Sequence, residues 1–267
     1  MKIQRHLDSR GATAYSCLLP DGSQEKLAGS LEGGFSRTGE RADPVKLLAP
    51  VVPAAVYCAG LNYRKHAEET GARIPQFPVL FMKAPSAVQN PGDPILLPSR
   101  LASHEVDYEC ELAVVIGRLA KNVSRAEALG FVAGYTCAND VSARDWQGRF
   151  GGSQWCRGKT FDTFLPLGPC LVTPDEIPDP NSLAIRTTLN GTTMQEENTA
   201  DMIFDVASLI EFFSGSTTLL PGTVILTGTP SGVGMARKPP VWLKPGDSVT
   251  IEIEKIGSLT NPVEFEA

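Results

Sequence analysis

The chain has 267 residues, 42% hydrophobic and 20% charged, enough to bury a sizeable core as one large domain or one domain with a small appendage. A formal net charge of −6 argues against a nucleic-acid or anionic-membrane partner, and no apolar run reaches the length of a transmembrane helix. With 25 glycines and 21 prolines the chain has many turns, which implies a strand-rich fold.

The opening residues Met1-Lys2-Ile3-Gln4-Arg5-His6 lack the apolar centre of a secretory signal. Cys17, Cys58, Cys110, Cys137, Cys156 and Cys170 form no C-x-x-C pair and have no zinc-type spacing. They read as reduced, mostly buried thiols, and the expectation is a cytoplasmic protein.

Residues 1–50 read as a small N-terminal β region, with an Asp21-Gly22 hairpin turn between two short strands. Pro50 to Pro53 sets it apart from a main domain spanning 51–267. A buried strand at 56–60 runs into a short helix at 62–70, which Asn62 is placed to cap and Gly71 to stop. The Pro-rich segment 75–98 is too interrupted for a long helix.

Residues 106–117 and 131–140 read as strands, separated by a short helix that begins at a capping box, Ser124-Arg125-Ala126-Glu127. A Gly-rich loop at 148–158 follows. Strands are then expected at 171–172, at 183–189 up to the Asn190-Gly191 turn, at 224–227 and at 248–254. Asp205 is placed to cap a helix over 206–214.

Three acidic residues stand out. Side chains alternate along a strand, so Glu109 and Glu111 share a face, with Asp107 ahead of them. Residues 112–116 are apolar on both faces, so the carboxylates lie at the mouth of a core. Asp140 ends the second strand. Acidic alternation alone also describes the wet face of an antiparallel strand. If the strand ends meet, the like charges need a partner, and hard oxygen ligands suit Mg²⁺ or Mn²⁺.

Other positions have two readings each. His66 and Glu69 are three apart on the short helix, a spacing for a tuned base or for ordinary surface charges. Lys159, between Gly158 and Thr160-Phe161, is a candidate substrate cation or an exposed loop lysine. Arg144 and Gln147 follow Asp140 closely and could bind a carboxylate. The run 222–234 is a strand entering a Gly-rich loop suited to an anion, but it lacks the Gly-Lys-Ser/Thr of a P-loop. The chain has neither a G-x-S-x-G elbow nor an H-E-x-x-H motif.

From about Tyr57 to Val263 the sequence resembles the fumarylacetoacetate hydrolase family, specifically its small members. The resemblance rests on Gly60-Leu61-Asn62-Tyr63-Arg64-Lys65-His66, Asp107-Tyr108-Glu109-Cys110-Glu111-Leu112, Asn139-Asp140-Val141-Ser142-Ala143-Arg144-Asp145-Trp146-Gln147, Gly158-Lys159-Thr160-Phe161-Asp162 and Thr227-Gly228-Thr229-Pro230-Ser231-Gly232-Val233-Gly234. It implies an α+β, mainly β fold: a mixed β-roll with short helices, commonly a homodimer. It also implies Glu109, Glu111 and Asp140 as Mg²⁺/Mn²⁺ ligands and His66–Glu69 as a pair on a lid helix. Lys159 and Gln147 are the implied substrate and oxyanion contacts, and Arg144 and Thr229 the implied carboxylate contacts.

The implied substrate is a small 2-oxo acid, and three outcomes share one enolate. The expectation carried forward is a metal-dependent hydrolase that cleaves a C–C bond of an acylpyruvate. Oxaloacetate tautomerisation or decarboxylation, or 2-hydroxydienoate isomerisation, is the alternative. A silent scaffold is the different-class reading, and the occupancy of all expected site positions argues against it. Specificity is expected from 62–78, 145–158 and 233–242.

Overall fold

A computed structural model describes all residues from Met1 to Ala267. The chain is built mainly from strands, with four short α-helices, Arg64–Thr70, Arg144–Gln147, Cys156–Lys159 and Val206–Ser214. The spine is a 12-stranded mixed sheet whose centre runs Lys2–Leu7, Leu165–Val172, Val132–Asn139, Cys110–Ile116, Val224–Leu226, Val56–Gly60 and Val79–Lys83. The N-terminal strands Thr13–Leu18, Gln24–Ser30 and Gly34–Arg41 extend the same sheet beyond Lys2–Leu7, which pairs with Leu165–Val172. A second, five-stranded sheet faces it in the order Thr192–Asn198, Ala184–Leu189, Ser248–Ile253, Gly257–Phe265 and Ile95–Leu97.

The central strand Cys110–Ile116 is buried at every position. Leu112, Val114 and Ile116 enter the larger core, with Ile185, Val249, Ile251 and Leu259 of the second sheet and Leu209, Ile210 and Phe213 of the helix Val206–Ser214. Ala113 and Val115 point the other way, into a smaller core with Ile3, Cys58, Leu167 and Leu171. The apolar run expected to be buried on both faces is therefore flanked by two cores, because period-2 side chains supply both.

Local signals in the sequence have mostly taken the expected form. Leu18 pairs with Gln24 across Asp21-Gly22, Leu189 pairs with Thr192 across Asn190-Gly191, and Asp205 caps its helix by accepting from the Ser208 N–H at 2.8 Å. Ser124 Oγ donates to Glu127 at 2.6 Å, but only a 3₁₀ turn, Ala128–Phe131, follows. The Gly-rich stretch after Gln147 holds the short helix Cys156–Lys159, and the strand expected at 171–172 starts at Leu165.

Two expectations need correction. The strand read over 106–117 breaks at Tyr108 and Glu109, between Val106–Asp107 and Cys110–Ile116, because Asp107 pairs with Ser142 on a separate ladder. Asn62 does not cap its helix: Tyr63 occupies that place without a side-chain bond. The Asn62 amide instead donates to Thr227 O at 2.7 Å and Phe204 O at 2.9 Å, tying the helix approach to the strand that leads into the Gly-rich loop.

Candidate active site

Antiparallel register brings the acidic residues together. Cys110 pairs with Asn139, the Asp140 N–H donates to Glu109 O at 2.9 Å, and Asn139 Oδ1 accepts from the Glu109 N–H at 3.1 Å. Glu109, Glu111 and Asp140 thus offer carboxylate oxygens that all lie within 4.8 Å of one another, and all three residues are buried.

The cluster is heavily neutralised. Lys159 Nζ donates to Glu109 Oε2 and Asp140 Oδ2, each at 2.7 Å, and also lies 5.0 Å from the centre of the Phe81 ring. Lys83 Nζ reaches Asp140 Oδ1 at 2.7 Å and Val141 O at 3.1 Å. Arg144 grips Asp107 Oδ2 from Nε at 3.0 Å and Nη2 at 2.8 Å, and its Nη1 lies 2.7 Å from Glu109 Oε1. Nη1 also donates to Gln147 Oε1 at 3.0 Å. Arg144, expected as a carboxylate contact, thus already holds two carboxylates of its own chain.

Glu111 differs from its neighbours. Its Oε2 accepts from the Gly228 N–H at 2.6 Å, and no lysine or arginine pairs with it. Burial, and then the charges of Asp140 and Glu109, push its carboxyl well above the usual carboxylate range. Burial also opposes charge on Glu109, but Lys159 and Arg144 more than offset it and hold that carboxyl well below its ordinary value. Lys159 is held up by Asp140 and Glu109 against its burial and stays a cation, whereas burial wins at Lys83 and lowers it.

Counted as ions, the carboxylates of Asp107, Glu109, Glu111 and Asp140 outnumber the cations of Lys83, Arg144 and Lys159 by one, an excess that a proton on Glu111 relieves in the metal-free protein. Three clustered hard oxygen donors, of which Glu111 has no cationic partner, fit a divalent cation of the Mg²⁺ or Mn²⁺ kind.

The loop after Val224–Leu226 binds anions, as its sequence suggested, but they belong to the chain itself. Gly228 N–H serves Glu111, Gly232 N–H serves Glu69 at 2.9 and 3.1 Å, and Gly234 N–H serves Asp107 at 2.7 Å. Close backbone approach requires glycine at two of these positions. A Cβ at Gly228, with φ +95°, would come within 2.7 Å of Asn62 Cβ, and one at Gly232, with φ +99°, within 2.2 Å of Met194 O.

Glu69 also meets His66 Nδ1 at 2.7 Å across the i,i+3 spacing of the helix Arg64–Thr70. A carboxylate can only accept, so Nδ1 carries the proton and Nε2 keeps the lone pair. His66, Glu109, Glu111, Arg144, Lys159 and Thr229 line one cavity of about 380 Å³, whose other wall includes Leu61, Phe81, Trp155 and Met235. Gln147 borders it too.

Residues from all three segments expected to shape specificity are present: Thr70 and Ala72, Gly148 and Ser153, and Met235. Lys83 and the Arg144–Asp107 grip were not anticipated. Lys83 had a signal, however: it shares strand parity with Phe81, on the inward face of Val79–Lys83, where an inward lysine demands a carboxylate.

The description "Fumarylacetoacetate (FAA) hydrolase C-terminal" matches residues 55–264. The chain belongs to the fumarylacetoacetate hydrolase family. Among its relatives is the fumarylacetoacetate hydrolase domain-containing protein 2 homolog of Dictyostelium discoideum, 50% identical over 82% of this chain and 74% of that protein. Another is the mitochondrial oxaloacetate tautomerase fahd2 of Xenopus laevis, 50% identical over 82% of this chain and 68% of that protein. The solved structure of 5-carboxymethyl-2-hydroxymuconate delta-isomerase from Mycobacterium smegmatis is similar over 100% of both chains, at 41% identity and a TM-score of 0.86. The fold is thus that of this enzyme family.

These relatives overturn the cytoplasmic expectation, since tautomerases of frog, rat and human at 50–51% identity are named mitochondrial. The lack of a secretory signal core spoke only of secretion, and reduced thiols do not distinguish one reducing compartment from another.

Proposed function

We propose that this family member is a keto–enol tautomerase of a small 2-oxo acid of the oxaloacetate type. The observation that carries the reading is that His66, oriented by Glu69, lines the same cavity as Glu109, Glu111 and Lys159, with the buried Asp140 clustered against those two carboxylates. Relatives named as tautomerases or isomerases support relocation of a proton over C–C hydrolysis, and oxaloacetate enters from their names.

Glu109, Glu111 and Asp140 would hold Mg²⁺ or Mn²⁺, which supplies Lewis-acid stabilisation of negative charge on a 2-oxo acid. Tautomerisation breaks the C3–H bond and forms an O–H bond at C2, or the reverse, and consumes no water. His66 Nε2 takes or returns the C3 proton, while Glu69 holds the ring in the required tautomer and stabilises it once protonated. Lys159, kept charged by its carboxylate neighbours, serves as a fixed positive group near the 2-oxo oxygen rather than as a base. Thr229, Gln147 and the edge of Arg144 orient the substrate carboxylates.

The test is NMR of enol–keto exchange of oxaloacetate in D₂O, with and without Mg²⁺. Mg²⁺-dependent acceleration and deuterium uptake at C3 are expected, with a loss of about 10²–10⁴-fold in His66→Ala. Exchange no faster than with Mg²⁺ in buffer, together with cleavage of acetylpyruvate to pyruvate and acetate, would sink the tautomerase reading in favour of hydrolysis.

A further inference from the structure

Gln195 lies on the strand Thr192–Asn198 of the second sheet, does not line the cavity and is 1% exposed. Its amide nonetheless joins the two halves of the site. Oε1 accepts from the backbone N–H of Cys110 at 2.9 Å, between Glu109 and Glu111, and from the Thr187 hydroxyl at 2.8 Å. Nε2 donates to the carbonyl of Pro230 and to Oγ1 of Thr229, each at 2.8 Å.

Those partners permit one orientation of the amide. The Cys110 N–H only donates and the Pro230 carbonyl only accepts, so a half-turn of the amide would set donor against donor and acceptor against acceptor. The consequence falls on Thr229. Its hydroxyl has one proton, and because it accepts from Nε2 that proton is not used on Gln195. No group of the chain takes it, and Thr229 is 4% exposed and faces the cavity.

We propose that Gln195 is a positioning residue that fixes Thr229 as a hydrogen-bond donor to an anionic oxygen of the substrate. This rests on the cavity being a 2-oxo acid site. The same amide ties the strand that follows Glu109 and carries Glu111 to the loop 228–234, which holds the donor in place relative to those two carboxylates.

Gln195→Glu is the discriminating variant because it keeps the shape. One oxygen still accepts from Cys110. The other faces the Pro230 carbonyl, so the buried carboxyl stays protonated and donates there, and the same oxygen then accepts the Thr229 proton. Thr229 would turn a lone pair toward the substrate.

Calorimetry of oxalate, a small dianion, into Mg²⁺-saturated protein reads the effect, with Mg²⁺ affinity measured separately. Gln195→Glu and Thr229→Val are each expected to weaken oxalate about tenfold or more, and Thr229→Ser to bind nearly as the native chain does. In the Thr229→Val background, Gln195→Glu should add less than about twofold, because the two act through one hydroxyl. Native-like oxalate affinity in Gln195→Glu overturns the proposal, as does an undiminished effect in that background. No oxalate binding by the native chain overturns the reading of the cavity itself, and this proposal with it. Should Gln195→Glu not fold, as seen by thermal melting, Gln195→Met is judged by the same two criteria.

Discussion

The central strand Cys110–Ile116 and the N-terminal strand Gly34–Arg41 belong to one sheet but live in different surroundings. The first is buried at all seven positions, and the second is exposed at seven of eight. Both carry charge. At the mouth of the central strand, carboxylates interlock with Lys83, Arg144 and Lys159 in a dry cluster. On the outer strands, Lys26 and Glu40 form a pair at 2.9 Å that water can replace. A charge becomes a chemical instrument where solvent is excluded, because there its neighbours decide its protonation.

Breaking the comparison at its strongest point means cutting the buried strand. Leu112, 0% exposed, is expected to cost about 2–5 kcal/mol as Leu112→Ala in urea unfolding, since the closely packed larger core around it relaxes only partly into the gap. Glu109→Gln removes a candidate ligand and leaves Lys159 and Arg144 short of a partner. Mn²⁺ affinity by calorimetry is expected to fall by at least about a hundredfold, and near-native affinity would refute the ligand assignment.

A pH series sharpens the contrast within the cluster. Glu111 has a raised folded value, so the metal-free protein binds more protons folded than unfolded between the ordinary carboxylate range and that value. Its contribution to stability is therefore present at low pH and declines as pH rises through this window. Metal binding displaces the proton, so Mg²⁺ affinity is expected to climb by up to about tenfold per pH unit across the same window. A flat affinity profile by calorimetry would contradict the raised value. The smallest effect belongs to the outer pair: Glu40→Gln should leave the melting temperature unchanged, because the pair is solvated.

Much of the site is legible in the sequence. Strand parity put Glu109 and Glu111 on one face, i,i+3 spacing put His66 beside Glu69, and apolar continuity marked 112–116 as core. Parity would have exposed Lys83 as well, had Val79–Lys83 been read as one strand with an inward lysine. Asn62 was misread because a capping residue and a loop-bridging residue look alike in sequence, and its amide found Thr227 and Phe204 instead of its own helix.

The sequence by itself determined the family, the mainly β architecture and which acidic residues to look for in a cluster, because periodicity and short motifs are local properties. Only the tertiary structure decided that Asp140 meets Glu109, that Arg144 is held by Asp107, and that the loop amides at Gly228, Gly232 and Gly234 serve the chain's own carboxylates. It alone showed Gln195 reaching across two sheets to Thr229. These contacts join residues up to 163 positions apart, and spacing along a chain carries no information about register between strands or about which buried donor finds which acceptor.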